Sequence, residues 1–218
     1  MAFGKNENQT IRLTGLAQSD ESALNLGLRQ YMLRVYNYMA SGLILTGIFA
    51  YGATKFPAFL NMMYSVGPSG SASPTLFAWI IMLSPLAFIL VLNFGIQKMK
   101  ASAAQMVFWL FAAIMGLSLT HIFLVYTGTS ITRVFFITAG TFTAMSLYGY
   151  TTKRDLSKFG SFLFMGLIGI IIASVVNIFM QSSAMAFVIS VVGVLVFVGL
   201  TAHDTQNIKR MYVEGEHS

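Results

Sequence analysis

The chain has 218 residues, of which 56% are hydrophobic and 9% are charged, where a soluble globular chain carries about a quarter charged. So few charges cannot cover the outside of a water-soluble particle, and lipid must be the solvent for much of the surface. The net charge of +6 is spread over short loops, which argues against a nucleic-acid partner; with no Cys, disulfides, thiolate nucleophiles and Cys-ligated zinc are excluded.

The first thirty or so residues are polar and lack the apolar core of a secretory leader, so residues 1–30 are expected to form a polar cytoplasmic tail. Residues 31–204 should then form an all-α, polytopic bundle of six transmembrane helices, and 205–218 a second cytoplasmic tail. A span needs roughly twenty mostly apolar residues. The runs that qualify are Val35–Ala53, Leu76–Ile96, Ala103–Val125, Ile131–Tyr150, Phe159–Met180 and Ala184–Ala202. Turn chemistry marks the longest loop, at Gly67-Pro68-Ser69-Gly70 and Ser73-Pro74. Pro85 should kink or open the second span. The runs are continuous rather than alternating, which is not the pattern of a β-barrel.

Orientation follows from the basic residues. Eleven of the thirteen Lys and Arg fall in the N-terminal segment, the second-to-third and fourth-to-fifth loops and the C-terminal stretch; only Lys55 and Arg133 fall on the other side. Both termini are therefore expected in the cytoplasm, as an even number of spans requires. Small residues recur at helix-packing spacing in Gly42/Thr46, Gly140/Ala144 and Gly169/Ala173, which suits close helix approach.

The polar residues within the spans are few. Of the seven carboxylates, Glu7, Asp20, Glu21, Asp155, Glu214 and Glu216 fall in tails or loops, and Asp204 stands at the end of the sixth span. An Asp at a helix centre costs about 2.5–3.5 kcal/mol on insertion scales and less near an end. Asp204 is thus either an interfacial carboxylate meeting headgroups and water or a functional group, with position giving even weight to both. His121 lies three residues after Ser118 on one helix face, but no nucleophile elbow surrounds that serine, so a His bonded within the bundle is the better reading. Asn177 and Asn93 are candidate interhelical donors. A metal site from His121, His203 and Asp204 would need three positions to converge, and no metal, cofactor or catalytic constellation is expected. The chain does not read as an enzyme.

The stretch Gly199-Leu-Thr-Ala-His-Asp204-Thr-Gln-Asn-Ile-Lys209 resembles the signature at the end of the sixth helix in the Bax inhibitor (transmembrane Bax inhibitor motif) family. Tyr31-Met-Leu-Arg-Val-Tyr-Asn37 and Ser146-Leu-Tyr-Gly-Tyr-Thr-Thr-Lys-Arg-Asp-Leu156 are similar to its bacterial branch. The resemblance covers roughly residues 25–212. It implies a bundle of the bacterial inner membrane that leaks Ca²⁺ in a pH-dependent way, with membrane lipid around it and Ca²⁺ as permeant ion. In the family an Asp at this signature shares a proton with a second Asp on a seventh helix, and Asp204 maps onto the first of the two.

The sequence ends at Ser218, fourteen residues past Asp204, without a further apolar run, and His203 stands where many relatives carry Tyr. The two-carboxylate sensor is thus not expected within this chain, and a weakly gated leak is. A lone Asp204 shielded from water, with Asn177 as an uncharged neighbour and His203 and His121 as supporting polar groups, is the expected site. The alternative function is a non-conducting regulator that binds a membrane protease or other integral protein through its helix faces.

Overall fold

A computed structural model describes the backbone of residues 4–67, 72–95 and 98–216, and side chains between 25 and 213 within those ranges. The elements are α1 (Gly4–Ala53), α2 (Pro57–Met63), β1 (Tyr64–Val66), β2 (Ala72–Pro74), α3 (Leu76–Gly95), α4 (Ala101–Ser118), α5 (Thr120–Val125), α6 (Gly128–Thr151), α7 (Ser157–Met180) and α8 (Ser183–Glu216). Among the described residues, five helices are long and apolar enough to cross a membrane, and α1 with α2 passes as a sixth span bent by 89°. Those spans match the six apolar runs. The side chains of Glu7, Asp20, Glu21, Glu214 and Glu216, the loop residues 68–70 and the second span's last residue, Ile96, lie outside the described residues.

Helix extends into both stretches read as polar tails. The polar stretch from Gly4 onward is helical and runs unbroken into the first span, and α8 continues past Ala202 to Glu216. No Pro interrupts 183–213, and extending a formed helix by one residue costs little once the nucleus exists. The long loop after the first span is also structured. Residues 54–56 break the helix, Pro57 starts α2 at a first-turn position that needs no N–H, and β1 pairs antiparallel with β2, Ser65 opposite Ser73.

The chain forms two compact units, residues 35–134 and residues 1–34 with 135–218. In the first, α1 lies along α4 with Tyr38 beside Gln105 and Trp109, Gly42 beside Phe108, and Thr46 Oγ1 donating to Ala112 O at 2.8 Å. The Gly42/Thr46 pair thus packs as its spacing implies. Pro85 sits buried inside α3 and leaves Ile81 O without its usual donor, and Ser84 Oγ donates to that oxygen at 2.7 Å. Between α4 and α5 the helix tightens at Leu119, whose N–H is shared by Met115 O and Gly116 O.

In the second unit α7 and α8 form an antiparallel hairpin, with Gly166 facing Val196, Leu163 facing Gly199, and Gly160 facing His203. Gln181 turns the chain in the left-handed region at φ 50°. Nothing among the described residues lies within 4 Å of where a Cβ at Gly140 or Gly169 would sit, so those two small-residue faces are open rather than packed. No residue of α7, an almost wholly apolar helix, is buried by protein. Phe162, Phe164, Met165 and Phe179 all face outward, which only a hydrocarbon solvent permits.

Candidate functional site

The polar chemistry of the second unit gathers where α6 ends, α7 begins and α8 runs beyond its apolar stretch. Twenty residues from Ser183 reach Ala202, about 30 Å of helix, which matches a hydrocarbon core. The turns from His203 to Arg210 therefore sit at the membrane boundary. Ala202, Thr205, Gln206 and Lys209 share one face of α8 by their spacing of three, four and seven. All four meet α6 or the connection after it. Ala202 backbone lies against Gly149, and Thr205 Oγ1 donates to Ser146 Oγ at 3.4 Å.

Gln206 is buried and is the hub. Its Nε2 donates to Arg154 O at 2.8 Å, while its Oε1 accepts from the Leu156 N–H at 2.8 Å and from Arg210 Nη2 at 2.6 Å. Lys209 Nζ donates to Tyr150 O at 2.9 Å and lies 5.0 Å over that residue's ring, placing a cation on the carbonyl end of α6. Asp155 does the converse for α7. Its Oδ1 accepts the Ser157 N–H at 3.0 Å and Arg210 Nη2 at 2.7 Å, and Arg210 Nη1 also donates to Ser157 Oγ. The hydrogen bonds from Ser157, backbone first, and then the Arg210 charge hold the Asp155 carboxyl below the usual carboxylate range. Tyr212, one turn on, packs on Tyr31 at 5.1 Å between ring centroids, so the middle of α1 reaches this same end. The 146–156 and 199–209 stretches that carry the family resemblance thus meet here, and Tyr31 of the third reaches the end of α8.

Asp204 lies off that gripping face. It is 66% exposed, and its Oδ1 is 3.0 Å from Nδ1 of His203, whose ring fits against Gly160. Protein therefore does not cover Asp204. Asn177 is not its neighbour either. Twenty-one residues of α8 separate Ser183 from Asp204, about 30 Å, and Asn177 sits at the Ser183 end. There its carbonyl accepts the Gln181 N–H at 2.8 Å and its Oδ1 accepts the Ser182 N–H at 3.1 Å, fixing the α7–α8 turn. His121 belongs to the other unit; its Nδ1 is 3.5 Å from Ser118 O, while Ser118 Oγ donates to Met115 O at 2.8 Å. Serine and imidazole therefore share no nucleophile–base hydrogen bond. Asn93 faces outward, and among the described residues no three His, Asp or Glu side chains gather as metal ligands. Gln206, Lys209 and Arg210 carry contacts that sequence reasoning did not assign. For Gln206 and Lys209 the signal was the shared helical face within the 199–209 stretch, and Arg210 follows directly after it.

A family model described as "Inhibitor of apoptosis-promoting Bax1" matches residues 28–218. The chain belongs to the Bax inhibitor family. Its similarity to the Inner membrane protein YbhL of Escherichia coli K12 is 46% identity over 185 residues, covering 85% of this chain and 76% of that protein. An uncharacterised protein of Rickettsia prowazekii is 47% identical over 194 residues, covering 89% and 78%. An uncharacterised membrane protein of Streptococcus pyogenes is 32% identical over 188 residues, covering 86% and 79%. With its apolar spans and inner-membrane relative, this Bax inhibitor family member is a multi-pass protein of the bacterial inner membrane.

Proposed function

We propose that the chain is a Ca²⁺-permeable leak whose mouth is marked by Asp204, with both termini in the cytoplasm. The observation that carries this is the exposed carboxylate just past the last apolar turn of α8, paired to His203 at 3.0 Å. Ca²⁺ takes oxygen ligands, carboxylates first, and an open carboxylate at the membrane boundary offers an entering cation a place to shed water. His203 supplies the pH sensitivity. A protonated imidazole competes with a cation for Asp204, and a neutral one releases it. Acid should therefore reduce flux. The cytoplasmic assignment rests on the eleven-to-two division of Lys and Arg.

The test is Ca²⁺ uptake into proteoliposomes holding the purified chain at about pH 6 and about pH 8. Flux should exceed that of empty vesicles, be greater at the higher pH, fall in Asp204→Asn and lose its pH dependence in His203→Phe. Well-folded protein with flux indifferent to Asp204→Asn would sink the proposal. That result would favour a non-conducting regulator binding another integral protein, to which the open faces at Gly140 and Gly169 are suited.

A further inference from the structure

A second feature at this end of the unit is independent of conduction. Between the α6–α7 connection and α8 lies a cavity of about 340 Å³ lined by Lys153, Arg154, Asp155, Gln206, Lys209 and Arg210 among others. Four cations face one carboxylate, a surplus of three positive charges. They fall into two kinds. Lys209 and Arg210 are tethered, one to Tyr150 O and the other to Asp155 and Gln206, so little rotamer freedom remains for them to lose on binding. The side chains of Lys153 and Arg154 are exposed and have no ion pair or hydrogen bond among the described residues. Two preset cations beside two unneutralised ones make a site for a compact anion with several acceptor oxygens.

We propose that this cavity holds the phosphodiester headgroup of an anionic phospholipid. Depth selects the lipid over a soluble anion. The cavity lies just beyond the first twenty residues of α8, at the level where bilayer phosphates sit. Phe159 and Met211, in the turns that also carry Ser157 and Arg210, are 56% and 58% exposed and offer apolar surface to the upper acyl chain. Basic pockets between helices at a membrane boundary favour anionic headgroups for these reasons. The bound lipid bridges the α6–α7 connection and α8, reinforcing the contact that Gln206 makes.

The experiment uses the delipidated chain in uncharged detergent, titrated separately with dioctanoyl phosphatidylglycerol, dioctanoyl phosphatidylcholine and inorganic phosphate. Thermal midpoints are followed, and native mass spectrometry counts lipids on folded protein. Phosphatidylglycerol should raise the midpoint saturably while phosphatidylcholine does not. Lys153→Gln with Arg154→Gln should weaken that response about tenfold, whereas Lys98→Gln with Lys100→Gln, in the other unit, should leave it unchanged. The altered side chains make no ion pair or hydrogen bond among the described residues, so the lipid-free midpoint should hold; should it fall, Arg154→Gln alone is counted by mass spectrometry. Equal response to both lipids, or equal loss in both double variants, overturns the site. Inorganic phosphate as effective as phosphatidylglycerol overturns the lipid assignment in favour of a soluble anion.

Discussion

Asp155 is an exposed carboxylate that nonetheless reports on folding, because its partners exist only when α7 and α8 are in place. Its folded pKa is lowered, first by the Ser157 backbone hydrogen bond, with Arg210 contributing less. A depressed pKa contributes stability that is complete above the ordinary value of about 3.9 and is lost as pH falls through the lower folded value. Asp155→Asn should therefore melt earlier than the parent in detergent from neutral pH down to about 4, with the gap closing only below the usual carboxylate range. A gap that closed between about pH 6 and pH 7 would assign the effect to a histidine instead. Gln206 differs in kind. It is uncharged and buried, and three hydrogen bonds converge on it, so its contribution should be indifferent to pH.

At the scale of the element, the approach of α6 to α8 depends on one missing side chain. A Cβ at Gly149 would fall on the Ala202 backbone, which cannot move aside as a flexible side chain could. The same contact sets the reach from Thr205 to Ser146 and from Lys209 to Tyr150. Gly149→Leu should push the helices apart, break those bonds together and destabilise the chain by about 2–4 kcal/mol, in the range of forced overpacking plus lost hydrogen bonds. Gly140→Leu, where nothing among the described residues stands within 4 Å, should change the midpoint little, and the comparison of the two in one detergent is the check. The gap in the α3 hydrogen-bond ladder obeys a similar economy, since the carbonyl orphaned by Pro85 is taken by the residue just before it.

For the whole molecule, the spans were legible because lipid imposes its thickness on the sequence, so long apolar runs carry the fold without help from tertiary detail. What was not legible depends on short or distant contacts. The β1–β2 pair is three residues a side, too brief for a periodic signal, and Gln206 reaches Arg154 across fifty-two positions. The placement of Asn177 beside Asp204 could have been avoided from spacing alone, since the two stand near opposite ends of antiparallel spans. Sidedness has a direct test, made simple by the absence of Cys. Single replacements Lys98→Cys and Lys153→Cys should react with an impermeant thiol reagent only in inverted vesicles, and Lys55→Cys only in right-side-out ones; the reverse pattern would invert the orientation.

The grip of α8 on the α6–α7 connection has a consequence for how this segment is free to diverge. On the α6–α7 connection, Gln206 and Lys209 take their hydrogen bonds from main-chain atoms, namely Arg154 O, the Leu156 N–H and Tyr150 O. Any residue other than Pro at 156 offers the same atoms, so this part of the grip tolerates a change of side chain at Leu156 but not a change in the connection's length. One residue more or fewer between Tyr150 and Leu156 would carry the oxygen of Arg154 about 3 Å out of reach.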